Sequence, residues 1–245
     1  MDQVQRFKVS EQLVREAGKR GLQGAVVRPG YILGSRENGV PNTDHFLIRP
    51  CKDCVQLGAR SLIINSVNAV PVDHVARVVI ASALNPLPGV NVVHVTAHPR
   101  LRMNEFLSAL EYYGYKASEV DYEEWKTQLE EFVSAGSTEK DQEQSALVPL
   151  LHMATSNLPS TTRAPELNDR NAVDVLKADA DRWTGVDDSA GEGITRENIG
   201  RHLRFLAEIK FMRWPTARGR ELPPIAAEIA RAQAQWGVGG RGGAA

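Results

Sequence analysis

Gly24-Ala25-Val26-Val27-Arg28-Pro29-Gly30-Tyr31-Ile32-Leu33-Gly34 is the stretch that decides the fold. Four small or β-branched residues run into an Arg-Pro-Gly turn, and three apolar residues run into a second glycine. A short buried strand that stops at Pro29 accounts for this, because proline fixes φ and offers no N–H to a sheet ladder. Gly30 and Gly34 let the backbone pass close to something bulky. In open α/β sheets ligands gather where the chain leaves the carboxyl end of a strand. The stretch therefore reads as one wall of a nucleotide pocket.

The pattern around it alternates. A helix over Gln5 to Gly18 is expected from Val9, Leu13 and Ala17, spaced by four with charged residues between. Asp44 to Leu57 looks helical with a kink at Pro50. Leu62 to Asn65, Ala69 to Val72, Asn91 to Thr96 and Lys116 to Val120 read as strands. His74 to Leu84, with Asp73 as its N-cap, Asn104 to Tyr113 and Tyr122 to Phe132 read as helices. Alternation of this kind implies parallel pairing through right-handed crossovers. Beyond about Ser134 only helices are expected: Asp141 to Thr155, Asn171 to Ala180, Arg196 to Phe211 and Pro224 to Trp236. The expectation is an α/β protein, with a partial Rossmann-like parallel sheet in residues 1–133. A mainly helical substrate or cap region in 134–236 and a disordered Gly/Ala-rich tail in 237–245 complete it.

Bulk properties narrow the function classes. The 245 residues carry 29 basic and 30 acidic side chains, so no global field draws the chain to nucleic acid or anionic lipid. No apolar run is long enough to span a bilayer. Two cysteines make no disulfide framework and suit a reducing, cytoplasmic setting. Cys51-x-x-Cys54 lacks the preceding strand of a redox pair and the two further ligands of a zinc site, which leaves packing as its reading. Gly18, Gly21 and Gly24 have dinucleotide-loop spacing, but a helix precedes them and a strand comes after, the reverse of what a phosphate loop needs. Gly237, Gly239 and Gly242 have no helix after them. The six histidines, His94 and His98 included, form no metal-ligand pattern, and no Gly-x-Ser-x-Gly elbow exists.

Three segments carry a resemblance: Lys8-Val-Ser-Glu-Gln-Leu-Val-Arg-Glu-Ala-Gly, Arg28-Pro-Gly-Tyr-Ile-Leu-Gly and Val70-Pro-Val-Asp-His-Val-Ala-Arg. They resemble the later half of an extended short-chain dehydrogenase/reductase. Gly39-Val-Pro-Asn-Thr-Asp-His-Phe-Leu, Ala164-Pro-Glu-Leu-Asn-Asp-Arg-Asn and Gly193-Ile-Thr narrow it to the carboxyl-terminal thioester-reductase domain of fungal L-2-aminoadipate reductases. The resemblance implies release of a carrier-bound acyl thioester as an aldehyde with NADPH, on the route to lysine. It implies a phosphopantetheine-bearing carrier domain as partner. It places Pro29, Gly30, Tyr31 and Ile32 at the nicotinamide end of the cofactor, and Asn42, Asp44 and His45 near the entrance for the acyl arm. It also puts the glycine-rich loop ahead of Met1. Aligned on Val9-Ser-Glu, the family's Tyr-x-x-x-Lys positions hold Gln3 and Phe7; a one-residue slip gives Val4 and Lys8. The expectation is a fragment or degenerate copy of such a reductase. A non-catalytic remnant that binds a partner, and the terminal reductase of a peptide synthetase, are the alternatives.

Overall fold

A computed structural model of the chain describes residues 3–135 and 164–226. The expected helices at Asp141 to Thr155 and Pro224 to Trp236, and the tail at 237–245, lie wholly or mostly outside the described residues. The chain forms two compact units, each assembled from separated stretches. The first unit takes Met1–Ile32, Asn68–Arg100 and Pro165–Ile194, and the second takes Leu33–Val67, Leu101–Ala164 and Thr195–Ala245.

In the first unit α1 (Gln3–Lys19) leads into β1 (Gly24–Pro29), which pairs in parallel with β6 (Val90–Val95), Gly24 opposite Val90 and Pro29 opposite Val95. Between these strands come β2 (Tyr31–Leu33), β5 (Ala69–Pro71), which pairs with β2, and α3 (Val72–Leu84). α6 (Arg170–Asp179) and a π-helical turn, Ala180–Thr184, complete the unit. Its core joins Val70, Val75, Val78, Val93, Val95, Val175 and Leu176, with Ala25 and Val27 packed against it. α3 and α6 are also tied by charge. Asp179, 1% exposed, receives the Arg77 guanidinium and, at 3.0 Å, the Asn85 side-chain amide, while Arg77 Nε lies 3.1 Å from Asp188.

The second unit holds α2 (Arg49–Leu57), β3 (Ala59–Ser61), β4 (Ser66–Val67), β7 (Leu101–Arg102), α4 (Met103–Tyr112), β8 (Ser118–Val120), α5 (Tyr122–Ala135) and α7 (Arg196–Glu208). β3 pairs in parallel with β8, and β4 in antiparallel with β7. Arg60 on β3 is buried between Glu111, at 2.8 Å, and Glu119. α7 starts with a reciprocal cap: Asn198 N–H donates to Thr195 Oγ1 at 3.2 Å, and Thr195 N–H to Asn198 Oδ1 at 2.9 Å.

The α/β reading and most element positions hold, with three local differences. Pro50 does not kink a helix begun at Asp44. It sits in the first turn of α2, where its missing N–H is not needed. Leu62 to Asn65 is not a strand; pairing falls on either side of it, at Ala59–Ser61 and Ser66–Val67. Pro71 is the N-cap of α3, and Asp73 lies inside the first turn, where its charge still favours the positive end of the helix. The α1 stripe is not a buried face: Val9 is 47% and Leu13 66% exposed. Glu11 on α1 instead reaches Arg28 on β1 and Arg15 on its own helix, and these two arginines hold its carboxyl below the usual carboxylate range.

Candidate functional site

The carboxyl ends of β1 and β6 lie side by side in the first unit, and Asn68 fastens both strand exits. Its carbonyl accepts Tyr31 N–H at 2.7 Å, and its side-chain Oδ1 accepts Ala97 N–H at 2.7 Å. Gly30 N–H donates to Val95 O at 3.2 Å. A Cβ built on Gly30 would come within 2.2 Å of the Asn68 carbonyl oxygen, so the close approach expected at this glycine is made to Asn68. Pro29, as expected, is the last residue of β1. Tyr31 and Ile32 are 38% and 37% exposed, an aromatic and aliphatic pair at a strand exit that suits the face of a flat ring.

Just beyond β6 stands a polar cluster. The Asp169 carboxylate accepts the Thr96 hydroxyl through Oδ2, and the same oxygen pairs with His98 Nε2. Thr96 Oγ1 is also 2.9 Å from His98 Nε2. Asp169 is the N-cap of α6, yet its side chain caps nothing on that helix. Its carboxylate is turned to the sheet edge instead. Partial burial acts to raise its pKa, but the bonds from Thr96 and His98 outweigh this and hold it below the ordinary value. Thr96 is buried, whereas the His98 side chain is about half exposed. The cluster is thus an oriented imidazole beside a fixed anion, a combination able to hold or relay a proton.

Asn42, Asp44 and His45 lie in the second unit and form one turn. Asn42 Oδ1 accepts Asp44 N–H at 2.9 Å, Asp44 pairs with Arg49 at 2.6 Å, and His45 Nδ1 accepts Leu47 N–H at 3.1 Å. Burial lowers the His45 pKa, which keeps the ring neutral and Nδ1 able to accept. These three residues are brought together, and their bonds launch α2.

Cys51 and Cys54 are buried free thiols. Burial, with the Asp53 charge beside it, pushes Cys51 up to about 12, so it is no thiolate nucleophile. Among the described residues no three His, Cys, Asp or Glu side chains are grouped to hold a metal, and no helix is long and apolar enough to cross a membrane.

Comparisons with known proteins show what the chain is similar to. The family model NAD_binding_4, described as male sterility protein, matches residues 8–79. The L-2-aminoadipate reductase large subunit of Penicillium chrysogenum is 54% identical over 237 residues, 95% of this chain and 17% of that protein. L-2-aminoadipate reductase of Schizosaccharomyces pombe is 50% identical over 236 residues, 96% of this chain and 16% of that protein. The chain therefore spans about a sixth of these relatives' length. Among solved structures, the terminal R domain of the myxalamid PKS-NRPS pathway shares the fold, with a TM-score of 0.66 at 24% identity over 85% of this chain and 49% of that one. A thiolation-reductase di-domain from an archaeal non-ribosomal peptide synthetase gives 0.62 at 21% identity over 82% of this chain and 39% of that one.

Proposed function

We infer that this chain, by sequence a relative of the L-2-aminoadipate reductases, is part of an NADPH-dependent thioester reductase that releases a carrier-bound aminoadipyl group as its semialdehyde in lysine biosynthesis. The carrying observation is the 54% identity over 95% of the chain. The convergence of two parallel strand ends at Asn68 and the Asp169 cluster supports it, since this is where an α/β sheet takes its ligand. In this reading residues 1–133 supply the later part of the reductase domain, and 134–236 a substrate region. The compact units draw on both stretches.

The nicotinamide would supply the hydride. Tyr31 and Ile32 would flank its ring, and Pro29 and Gly30 would fix the strand exit beneath them. Asn68 holds that exit to the segment carrying Thr96 and His98. Asn42, Asp44 and His45 would stand by the acyl-arm entrance, and the partner would be a phosphopantetheine-bearing carrier domain.

A chimera tests the reading. In the Schizosaccharomyces pombe relative, the segment matching Gly24 onward is replaced by Gly24–Ala245, so that the host's own first helix is kept. Growth without lysine is the expected result. A stable chimera that cannot support growth overturns the assignment.

One observation favours a second reading, in which the chain by itself binds but does not reduce. Phe7 is 69% exposed on α1, where the family pattern asks for lysine. The pure chain should then fail to oxidise NADPH with an aminoadipyl thioester; turnover would remove this reading.

A further inference from the structure

The loop that enters α6 is tied to the sheet on both sides of Asp169. Arg100 Nη1 donates to Pro165 O at 3.2 Å, and Asn171 Nδ2 donates to Val92 O at 2.8 Å. Between these ties the Asp169 carboxylate takes the Thr96 hydroxyl and His98 Nε2 on one oxygen, Oδ2. The imidazole is backed by a second segment. A Cβ on Gly191 would lie 2.8 Å from His98 Cδ2, and one on Gly193 would lie 2.3 Å from the Pro99 carbonyl oxygen. The cluster is therefore held in place before anything binds to it.

The bonding capacity left over is one-sided. A ring nitrogen bonded to a carboxylate carries the proton, so in the neutral ring His98 Nδ1 is an acceptor. Among the described residues Nδ1 has no hydrogen-bond partner, and Asp169 Oδ1 meets no side chain. Against partial burial, the bonds from Thr96 and His98 keep Asp169 ionised. The His98 and Asp169 side chains are 49% and 25% exposed, so the open side of the cluster presents two acceptors and a negative charge. A carboxylate or phosphate is repelled there. A neutral amide offers N–H donors but no charge. A primary ammonium offers both.

We propose that Asp169 and His98 Nδ1 bind the α-ammonium group of an aminoacyl substrate, and that this pair distinguishes an aminoacyl chain from the plain diacid. The position suits the role. Val95, just ahead of Thr96, lies opposite Pro29 and accepts Gly30 N–H at 3.2 Å, so the cluster stands one strand over from Tyr31 and Ile32. Neighbouring strands are about 4.8 Å apart. The short methylene chain between the thioester carbon and the amine of an aminoadipyl group bridges such a gap. The proposal rests on the reductase reading for this choice of acyl chain; the preference for an ammonium group comes from the cluster alone.

Calorimetric titration of the whole chain tests it, with no nicotinamide present and with three unreactive mimics. These are the side-chain methylamide of L-2-aminoadipate, its N-acetyl derivative, and adipate monomethylamide, which has no amine. Saturable binding of the first is expected, with the other two about tenfold weaker or less. The imidazole resonances of His98, identified by their loss in His98→Gln, should move with the first mimic. Asp169→Asn keeps an acceptor for Thr96 but removes the charge. It should weaken the amine-bearing mimic about tenfold and leave the other two unaltered, as loss of a charge-assisted hydrogen bond does. If that variant does not fold, His98→Gln, at a half-exposed position, should narrow the same preference. A purely structural cluster would lower the melting temperature and leave the preference intact. Absence of saturable binding, equal binding of the three mimics, an unmoved His98 resonance, or an unaltered preference in a folded variant overturns the proposal. A chimera that cannot support growth, beside an intact amine preference, overturns the reductase reading alone. Growth of the chimera without any amine preference overturns this proposal alone.

Discussion

Gly30 and Asn68 are in direct backbone contact: a Cβ at position 30 would stand 2.2 Å from the Asn68 carbonyl oxygen and 2.5 Å from its Nδ2. Gly30 does not adopt a left-handed φ, so the demand for glycine is one of space. Asn68 cannot retreat, because its side chain also holds Ala97 N–H. Gly30→Ala should lower stability by about 1–3 kcal/mol, the usual cost of forcing a methylene-sized group into a packed site. In the chimera, thermal melting and NADPH titration separate two effects. A lower melting point with unaltered NADPH affinity would mean that the turn is structural and that the cofactor-wall reading of Pro29 to Ile32 should be dropped.

Asp179 is almost fully enclosed and its charge is met by Arg77. Arg77→Met should leave a buried carboxylate without its cation and cost about 3–5 kcal/mol. The double change Arg77→Met, Asp179→Leu should recover much of that loss. Urea denaturation of the three proteins gives the answer, and a single variant as stable as the parent would contradict the packing.

Asp53 has both carboxylate oxygens buried with no hydrogen-bond partner, and burial pushes its pKa up to about 8 despite the nearby charges of Lys52 and Arg49. The folded state therefore keeps a proton that the unfolded state releases above the ordinary value of 3.8. Stability from this group is full at acid pH and is lost as pH rises from about 4 through 8, by up to about 1.4 kcal/mol per pH unit. Asp53→Asn should remove that slope between pH 5 and 8 (roughly the window set by the two pKa values). Parallel pH profiles for parent and variant would show the carboxyl to be ionised when folded.

Phe7, Val9 and Leu13 stand 69%, 47% and 66% exposed on α1. Apolar groups repeated along one helix at this exposure attract other surfaces. The pure chain should self-associate with concentration, and Leu13→Glu should reduce this without lowering the melting point. Sedimentation velocity checks both; a monodisperse monomer at all concentrations would sink the expectation.

The strands β1 and β6 and the helices α3, α4, α6 and α7 are legible in the sequence because each carries its own period or punctuation, such as Pro29 after Val26-Val27 or Gly114 after Tyr113. The helix read over Gln5 to Gly18 is present as α1, although its spacing of four shows only that a stripe exists and not that anything covers it. The resemblance leads to the strand exit at Pro29 to Ile32. It gives no sign of Asn68 or of the Thr96–His98–Asp169 cluster. Asp169 joins partners 73 and 71 residues earlier, and no local pattern marks a polar residue in a loop for such a bond. In the sequence His98 invites only the question of metal, since its spacing to His94 is the one signal it carries.

The interleaving of the first unit has a consequence for how the chain is made. Val93 and Val95 are covered in part by Val175 and Leu176, and Arg77 meets its counter-ion 102 residues later. On a ribosome, β1 and β6 emerge long before α6 does. α3 packs against their shared face early, but the part that Val175 and Leu176 cover stays without its native cover until synthesis passes residue 179, and loop-closure entropy delays the docking further. A nascent chain halted before Pro165 would carry that part bare, as a ready substrate for a holding chaperone, and a nascent chain past Ile194 would not.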